Sequence, residues 1–274
     1  DWPSQIGACV FDPKGPTFRD KIYPDYKATR SSMPEDLKLQ ISPIFDVVKA
    51  LGWPFIQVNG FEADDVIGTL VCEASKKNFK SVIISGDKDL AQLVNEHVIL
   101  VDTMSRHGGT GKVYDIPAVS EKFGVLPEKI VDYLTLVGDQ SDNIPGVKKI
   151  GAKTAARLIN KYGSLDQILK SAKVITGVVG KNLEDAKDWI PTGKELVTIK
   201  RDCPNLEEFV NNMEKKLGWS PLDYNKISAI QKRYDLARVF KDVLNPASVE
   251  DASLPGFESS KKNSVHIKKN IKTN

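Results

Sequence analysis

The sequence predicts an α/β domain, with a mostly parallel sheet and helices on both faces, followed by an all-α region. Three observations carry this. Short apolar, β-branched runs alternate with helical periodicity over the first 115 residues. From about Ile116 onward strand signals stop and helical patterns follow one another. The 274 residues, 41% hydrophobic and 27% charged, suffice for one large domain or two ordinary ones.

Residues 6–11, "IGACVF", read as a buried strand ending at Asp12. Residues 34–52 read as a helix that Pro43 is expected to break, and 55–58 as the second strand. Val66, Ile67, Leu70, Val71 and Ala74 recur at helical spacing, which places a helix over 63–78. Residues 82–85 and 98–102 read as further strands, with a short helix at 88–95 between them. Beyond Ile116, "PEKIVDYLTLVG", "AKTAARLINKYG", "SLDQILKSA", "NLEDAKDWI" and "PLDYNKISAIQKRY" read as helices. The expected organisation is 1–115 for the α/β domain, 116–245 for the helical region and 246–274 for a tail.

That tail is basic. The last fifteen residues carry five Lys and no acid, and without them 34 basic residues face 36 acidic ones. The tail is expected to lack structure. The net charge of +3 does not by itself point to nucleic acid. Cys9, Cys72 and Cys203 are too few and too far apart for a disulfide framework or a zinc site, which suits a reducing cytoplasm. No signal peptide is read, and no apolar run approaches the roughly 18 residues that span a bilayer.

The acids are the distinctive feature. In open α/β sheets ligands bind beyond the carboxyl ends of the strands. Asp12 follows the first strand, Glu62, Asp64 and Asp65 follow the second, and Asp87 and Asp89 follow the third. Asp139 and Asp142 come from "GDQSDN" after the helix at 127–137. Each cluster alone could be turn or helix-cap chemistry. Eight carboxylates at one rim need counter-charge, and an all-oxygen set suits two Mg²⁺ or Mn²⁺ ions acting on a phosphodiester.

Two basic stretches accompany them. In "IPGVKKIGAKTAARLINKYG", Gly146 and Gly151 flank Val147, Lys148 and Lys149 and precede a helix that begins near Lys153 and Thr154. Glycine permits close approach of backbone N–H groups to a phosphate, and the helix N-terminus adds its dipole. In "TFRDKIYPDYKATR", Arg19, Lys21, Lys27 and Arg30 interleave with Phe18, Tyr23 and Tyr26, which suits single-stranded nucleic acid but also a solvated connection.

In order and spacing, "VFDPKGPTFRDKIYPDYKATR", "EADDVIGTL", "SGDKDLAQLV" and "GDQSDNIPGVKKIGAKTAARLI" resemble the 5′–3′ exonuclease domain of bacterial DNA polymerase I, a member of the flap-endonuclease family. The resemblance runs from about Ile6 to about Val239. It implies a PIN-like α/β domain, a helix–hairpin–helix region, and metal-dependent cleavage of DNA at 5′ flaps and 5′ ends, as in primer removal and repair. It implies metal-site roles for Asp12, Glu62, Asp64, Asp65, Asp87, Asp89, Asp139 and Asp142. It places Arg19, Tyr26, Lys27 and Arg30 in the gateway that contacts the 5′ strand and the scissile phosphate. It makes residues 146–154 the hairpin that grips the duplex, where a K⁺ ion often sits.

A monomer acting on DNA, away from membranes and in full length attached to a polymerase domain, is the expected setting. The chain starts just before the second family strand, so the family's first strand and its metal-binding Asp are expected to be missing, with sheet edges left exposed. A catalytically weak DNA-binding remnant is the alternative. A phosphotransferase, suggested by "VFDPKG", is disfavoured because small phosphate esters need no duplex clamp.

Overall fold

The computed structural model describes residues 4, 6–104, 111–236 and 240, and the backbone of 264–269. The α/β part runs β1 (Ile6–Val10), α1 (Phe18–Ile22), α2 (Glu35–Ala50), β2 (Phe55–Ile56), α3 (Ala63–Lys76), β3 (Lys80–Ile84), a 3₁₀ turn (Lys88–Leu93), β4 (Val98–Asp102) and β5 (Lys112–Tyr114). The helical part runs α4 (Ile116–Phe123), α5 (Ile130–Val137), the short strands β6 (Gly138–Asp139) and β7 (Ile144–Pro145), α6 (Ala152–Tyr162), α7 (Leu165–Lys170), α8 (Val178–Asp185), α9 (Ile190–Val197), α10 (Glu207–Asn211), α11 (Met213–Lys216) and α12 (Tyr224–Tyr234). Ser264–Lys269 form β8.

The sheet order is β2-β1-β8-β3-β4-β5, parallel throughout except for β5, which runs antiparallel to β4. Alternation along β1 divides the core. Ala8 and Val10 face the large core with α3, whereas Cys9 and Phe11 pack with Val48 and Phe45 of α2 on the opposite face. The large core continues into the helical part, where Leu136, Ile159, Leu183 and Leu196 join Ile67 and Leu70.

Three expectations change. Pro43 does not break α2, which is continuous from Glu35 to Ala50. The residue four before it, Leu39, is 74% exposed, so water can satisfy the carbonyl that loses its N–H donor. "NLEDAKDWI" is not one helix: α8 ends at Asp185 and α9 starts at Ile190. The tail is not structureless over 264–269. These residues pair parallel with β1 (Val10↔Lys269) and with β3 (Ile84↔Lys268), covering the edges expected to be exposed. Apart from 264–269, the expected tail lies outside the described residues.

Candidate functional site

The acids gather at the carboxyl rim because the strands and their following turns deliver them there. Asp12 lies two residues beyond β1, and its Oδ1 accepts the Ala63 N–H at 2.7 Å, tying the rim to the start of α3. Glu62 is the residue before α3. Asp87 accepts the Asp89 N–H at 3.0 Å at the head of the 3₁₀ turn that follows β3. Asp139 accepts the Ser141 N–H at 2.7 Å and the Ser141 hydroxyl at 2.6 Å. The capping roles and the rim position therefore coexist. A carboxylate offers about four lone-pair sites, so one capping bond does not exhaust it.

The segment expected to form the gateway folds onto two of these acids, Glu62 and Asp142. The Tyr26 hydroxyl lies 3.0 Å and 3.2 Å from the Glu62 oxygens and 3.0 Å from Asp142 Oδ2. Lys27 Nζ pairs with Glu62 Oε1, and Arg30 Nη2 pairs with Asp142 Oδ1. Arg30 Nε also donates to the Ser141 carbonyl at 3.1 Å. Backbone contacts hold the two segments in register: the Lys27 N–H donates to Asp142 O at 2.9 Å, and Asn143 Nδ2 donates to Asp25 O at 2.8 Å. Lys27 and Asn143 both adopt positive φ, +58° and +56°, where the two turns meet. Burial, reinforced by the charges of Glu62 and Asp142, holds the Tyr26 phenol far above its ordinary range. It therefore stays protonated and donates to the carboxylates.

A second group surrounds Lys88, whose Nζ is 3.3 Å from Asp139 Oδ2. Burial opposes its charge, but Asp139, Asp89 and Asp87 outweigh that and raise its pKa. Lys88 was missed as a site residue, although its place between Asp87 and Asp89 was legible.

The eight acids do not form one ligand sphere. Among the described residues, no group of three or more His, Cys, Asp or Glu side chains is placed to hold a metal ion. Glu62 with Asp142, and Asp139 with Asp87 and Asp89, instead stand around protein cations. The donors these acids offer are all carboxylate oxygens, the type that hard divalent ions take. Asp64 is buried in the first turn of α3. Arg19 departs from its expected place facing a phosphate: it is 3% exposed and forks onto both oxygens of Asp65 at 2.6 Å and 2.9 Å.

The hairpin at 146–154 divides into a buried and an open half. Gly146 is a packing glycine. A Cβ there would lie 2.2 Å from the Val137 carbonyl, and one on Gly138 would lie 2.3 Å from Gly146 N. The Val147 N–H is spent on Leu136 O at 2.8 Å, so Val147 serves the fold and offers no donor to a phosphate. Lys148, Lys149, Gly151 and Lys153 are exposed, Thr154 is half-buried, and nothing lies within 4 Å of a Cβ built at Gly151, the N-cap of α6. The first N–H groups of that helix have no intrahelical partner. Two unanticipated residues brace the hairpin: Asn182 Nδ2 donates to Lys148 O at 2.6 Å, and Trp189 Nε1 donates to Pro145 O at 2.7 Å.

Residues 2–124 match the 5′-3′ exonuclease N-terminal resolvase-like domain, and residues 125–223 match the 5′-3′ exonuclease C-terminal SAM fold. The chain belongs to the 5′-3′ exonuclease family. DNA polymerase I of Pseudomonas aeruginosa is 45% identical over 213 residues, covering 73% of this chain and 22% of that protein. The 5′-3′ exonuclease of Aquifex aeolicus is 47% identical over 162 residues, covering 59% of this chain and 54% of that one. A 5′-3′ exonuclease of Buchnera aphidicola is 38% identical, with 71% and 69% covered. The chain thus spans about a fifth of the Pseudomonas polymerase and about half of the Aquifex exonuclease.

Among solved structures, a bacteriophage T5 flap endonuclease with DNA and metal ions superposes with a TM-score of 0.57 at 21% identity, covering 81% of this chain and 82% of that one. The catalytic core of Rad2 with DNA substrate gives 0.54 at 14% identity, covering 86% and 77%. At these identities the likeness concerns the fold. Among the described residues no helix is long and apolar enough to cross a membrane.

Proposed function

We propose that this 5′-3′ exonuclease-family chain hydrolyses DNA phosphodiesters at 5′ ends and 5′ flaps with two Mg²⁺ or Mn²⁺ ions, as a cytoplasmic monomer in replication and repair. The observation that carries the reading is the docking of Tyr26, Lys27 and Arg30 onto Glu62 and Asp142. It supports the reading because cations able to neutralise a phosphate stand beside carboxylates. Asp12, Glu62, Asp64, Asp87, Asp89, Asp139 and Asp142 would hold the ions, which when bound supply hydroxide from water and offset charge on the reacting oxygens. The Tyr26 phenol holds Glu62 and Asp142 together. Lys27 and Arg30 are the groups to meet the scissile phosphate. The exposed Lys148, Lys149, Gly151, Lys153 and Thr154 grip duplex backbone without reading sequence, with K⁺ as an accessory ion there. In full length a polymerase domain would be attached.

The test is cleavage of a 5′-labelled flap duplex with and without Mg²⁺. Products that shorten from the 5′ end only with metal, and that disappear in Asp87→Ala/Asp89→Ala, are expected. One observation favours a second reading, a DNA-binding chain that holds metals weakly: no three acids among the described residues converge on one metal position. Tight flap binding with no cleavage at saturating Mn²⁺ would select it.

A further inference from the structure

Asp65 is 0% exposed, and each of its oxygens is met twice. Oδ2 accepts from Arg19 Nη1 at 2.6 Å and from the Glu62 N–H at 3.1 Å, and Oδ1 accepts from Arg19 Nη2 at 2.9 Å and from the Lys200 N–H at 2.9 Å. Those four donors fill the lone-pair sites of a carboxylate. To take a cation, Asp65 would have to strand a buried donor, which is costly. Arg19 is equally committed. Its Nε donates to Leu196 O at 2.8 Å, its Nη2 also donates to Thr198 O at 3.0 Å, and its Nη1 lies 3.6 Å from Glu62 Oε2. Burial works against its charge, yet the bond and charge of Asp65 win and raise its pKa.

The same segment is read once more by Gln92, which donates to Val197 O at 3.0 Å and accepts the Ile199 N–H at 3.0 Å. Gly68 completes the contact, since a Cβ there would lie 2.6 Å from Ile199 Cγ2 and 2.7 Å from Lys200 O. Leu196 to Lys200 are the last turn of the bracing helix α9 and the residues just after it, and Trp189, which contacts the hairpin, caps the start of that helix.

We infer that Arg19 and Asp65 form one positioning unit: a buried clasp that orients Glu62 and locks the C-terminal end of α9 onto α1 and α3, with Asp65 outside the metal ligand set. The clasp deepens the proposed nuclease reading and rests on it only in taking Glu62 as a ligand. A planar guanidinium is required because one group must fork onto a carboxylate and still reach two carbonyls, which a lysine ammonium cannot match.

The experiment is a double-mutant cycle with Arg19→Met, Asp65→Leu and the pair together, with Asp65→Asn as the milder substitution should Asp65→Leu not fold. Melting temperature, Mn²⁺ bound per chain by titration calorimetry, and single-turnover flap cleavage are read for each. The clasp predicts that each single variant melts lower and cleaves about 10–100-fold more slowly while binding as many Mn²⁺ ions as the parent. The double variant should lose no more than either single and regain part of the melting temperature, because two apolar groups replace a buried ion pair. The inference is overturned if Asp65→Asn binds one fewer Mn²⁺ at the parental melting temperature, or if the two single losses simply add. Glu62→Gln separates the two readings. Parental Mn²⁺ binding and cleavage in that variant would sink the nuclease site, while coupling between Arg19 and Asp65 in melting temperature would still decide the clasp.

Discussion

Gly146→Ala probes how tightly the proposed duplex clamp is tied to the acid rim. The added Cβ would sit 2.2 Å from both the carbonyl carbon and the oxygen of Val137 and 2.5 Å from Gly138 N, where ordinary contact begins at 3.4 Å. Every one of those neighbours is backbone, so nothing can swing aside. The β6–β7 ladder, which pairs Gly138 with Pro145 and Asp139 with Ile144, must open by about 1 Å. Overpacking strain and the weakened ladder bonds together cost about 3 kcal/mol. For a chain of this size that is roughly 10 °C in melting temperature. Because Asp139 is itself a ladder residue, the shift should also displace Asp139 and Asp142 and slow metal-dependent cleavage beyond what lost DNA affinity explains. Chemical denaturation, flap binding and single-turnover cleavage measure the three effects. Gly151→Ser is the control: it has open space and φ of −98°, so its stability should stay within about 0.5 kcal/mol of the parent. Gly146→Ala unfolding within about 1 kcal/mol of the parent would refute the close approach and, with it, the mechanical link between clamp and rim.

Three further outcomes are expected. Tyr26→Phe removes the donor shared by Glu62 and Asp142, so single-turnover cleavage should slow by about tenfold or more while flap affinity holds; parental rates would show the hydroxyl to be idle. Each of Lys148→Ala, Lys149→Ala and Lys153→Ala should weaken duplex binding independently of sequence and lower the log–log salt slope by about 1, and an unchanged slope in the triple variant would remove the clamp assignment. Burial pushes the Cys203 thiol up to about 11 from 9.0. The folded form therefore holds its proton longer than the unfolded one, so stability is full below pH 9.0 and falls as pH rises through about 11. Melts across that window should fall more steeply for the parent than for Cys203→Ala, and parallel curves would contradict the shift.

Alternating strand and helix patterns were enough to place β1, β3, β4 and α3, because burial of one face leaves a period in the chain that needs no partner to be seen. The acids at strand ends and the glycine hairpin were legible for the same reason: loop chemistry is local. What each charged group does was not local. Arg19 and Tyr26 stand seven residues apart in one basic, aromatic stretch, yet the fold buries Arg19 against Asp65 and the 196–200 backbone and sets the Tyr26 hydroxyl between Glu62 and Asp142. Asp64 and Asp65 are adjacent, but a helix turns them about 100° apart, and Asp65 then meets four donors from three segments. Gly146 looked like a phosphate glycine until the facing backbone of Val137 came within reach. Pairing of Ser264–Lys269 between β1 and β3 could not be read from six residues ending in two lysines, because parallel pairing joins distant segments through backbone bonds that carry no residue signature. Sequence periodicity records which face of an element is buried. The partner of a buried charge is chosen only when elements far apart in the chain meet, since that choice depends on distance and desolvation rather than on neighbours in sequence.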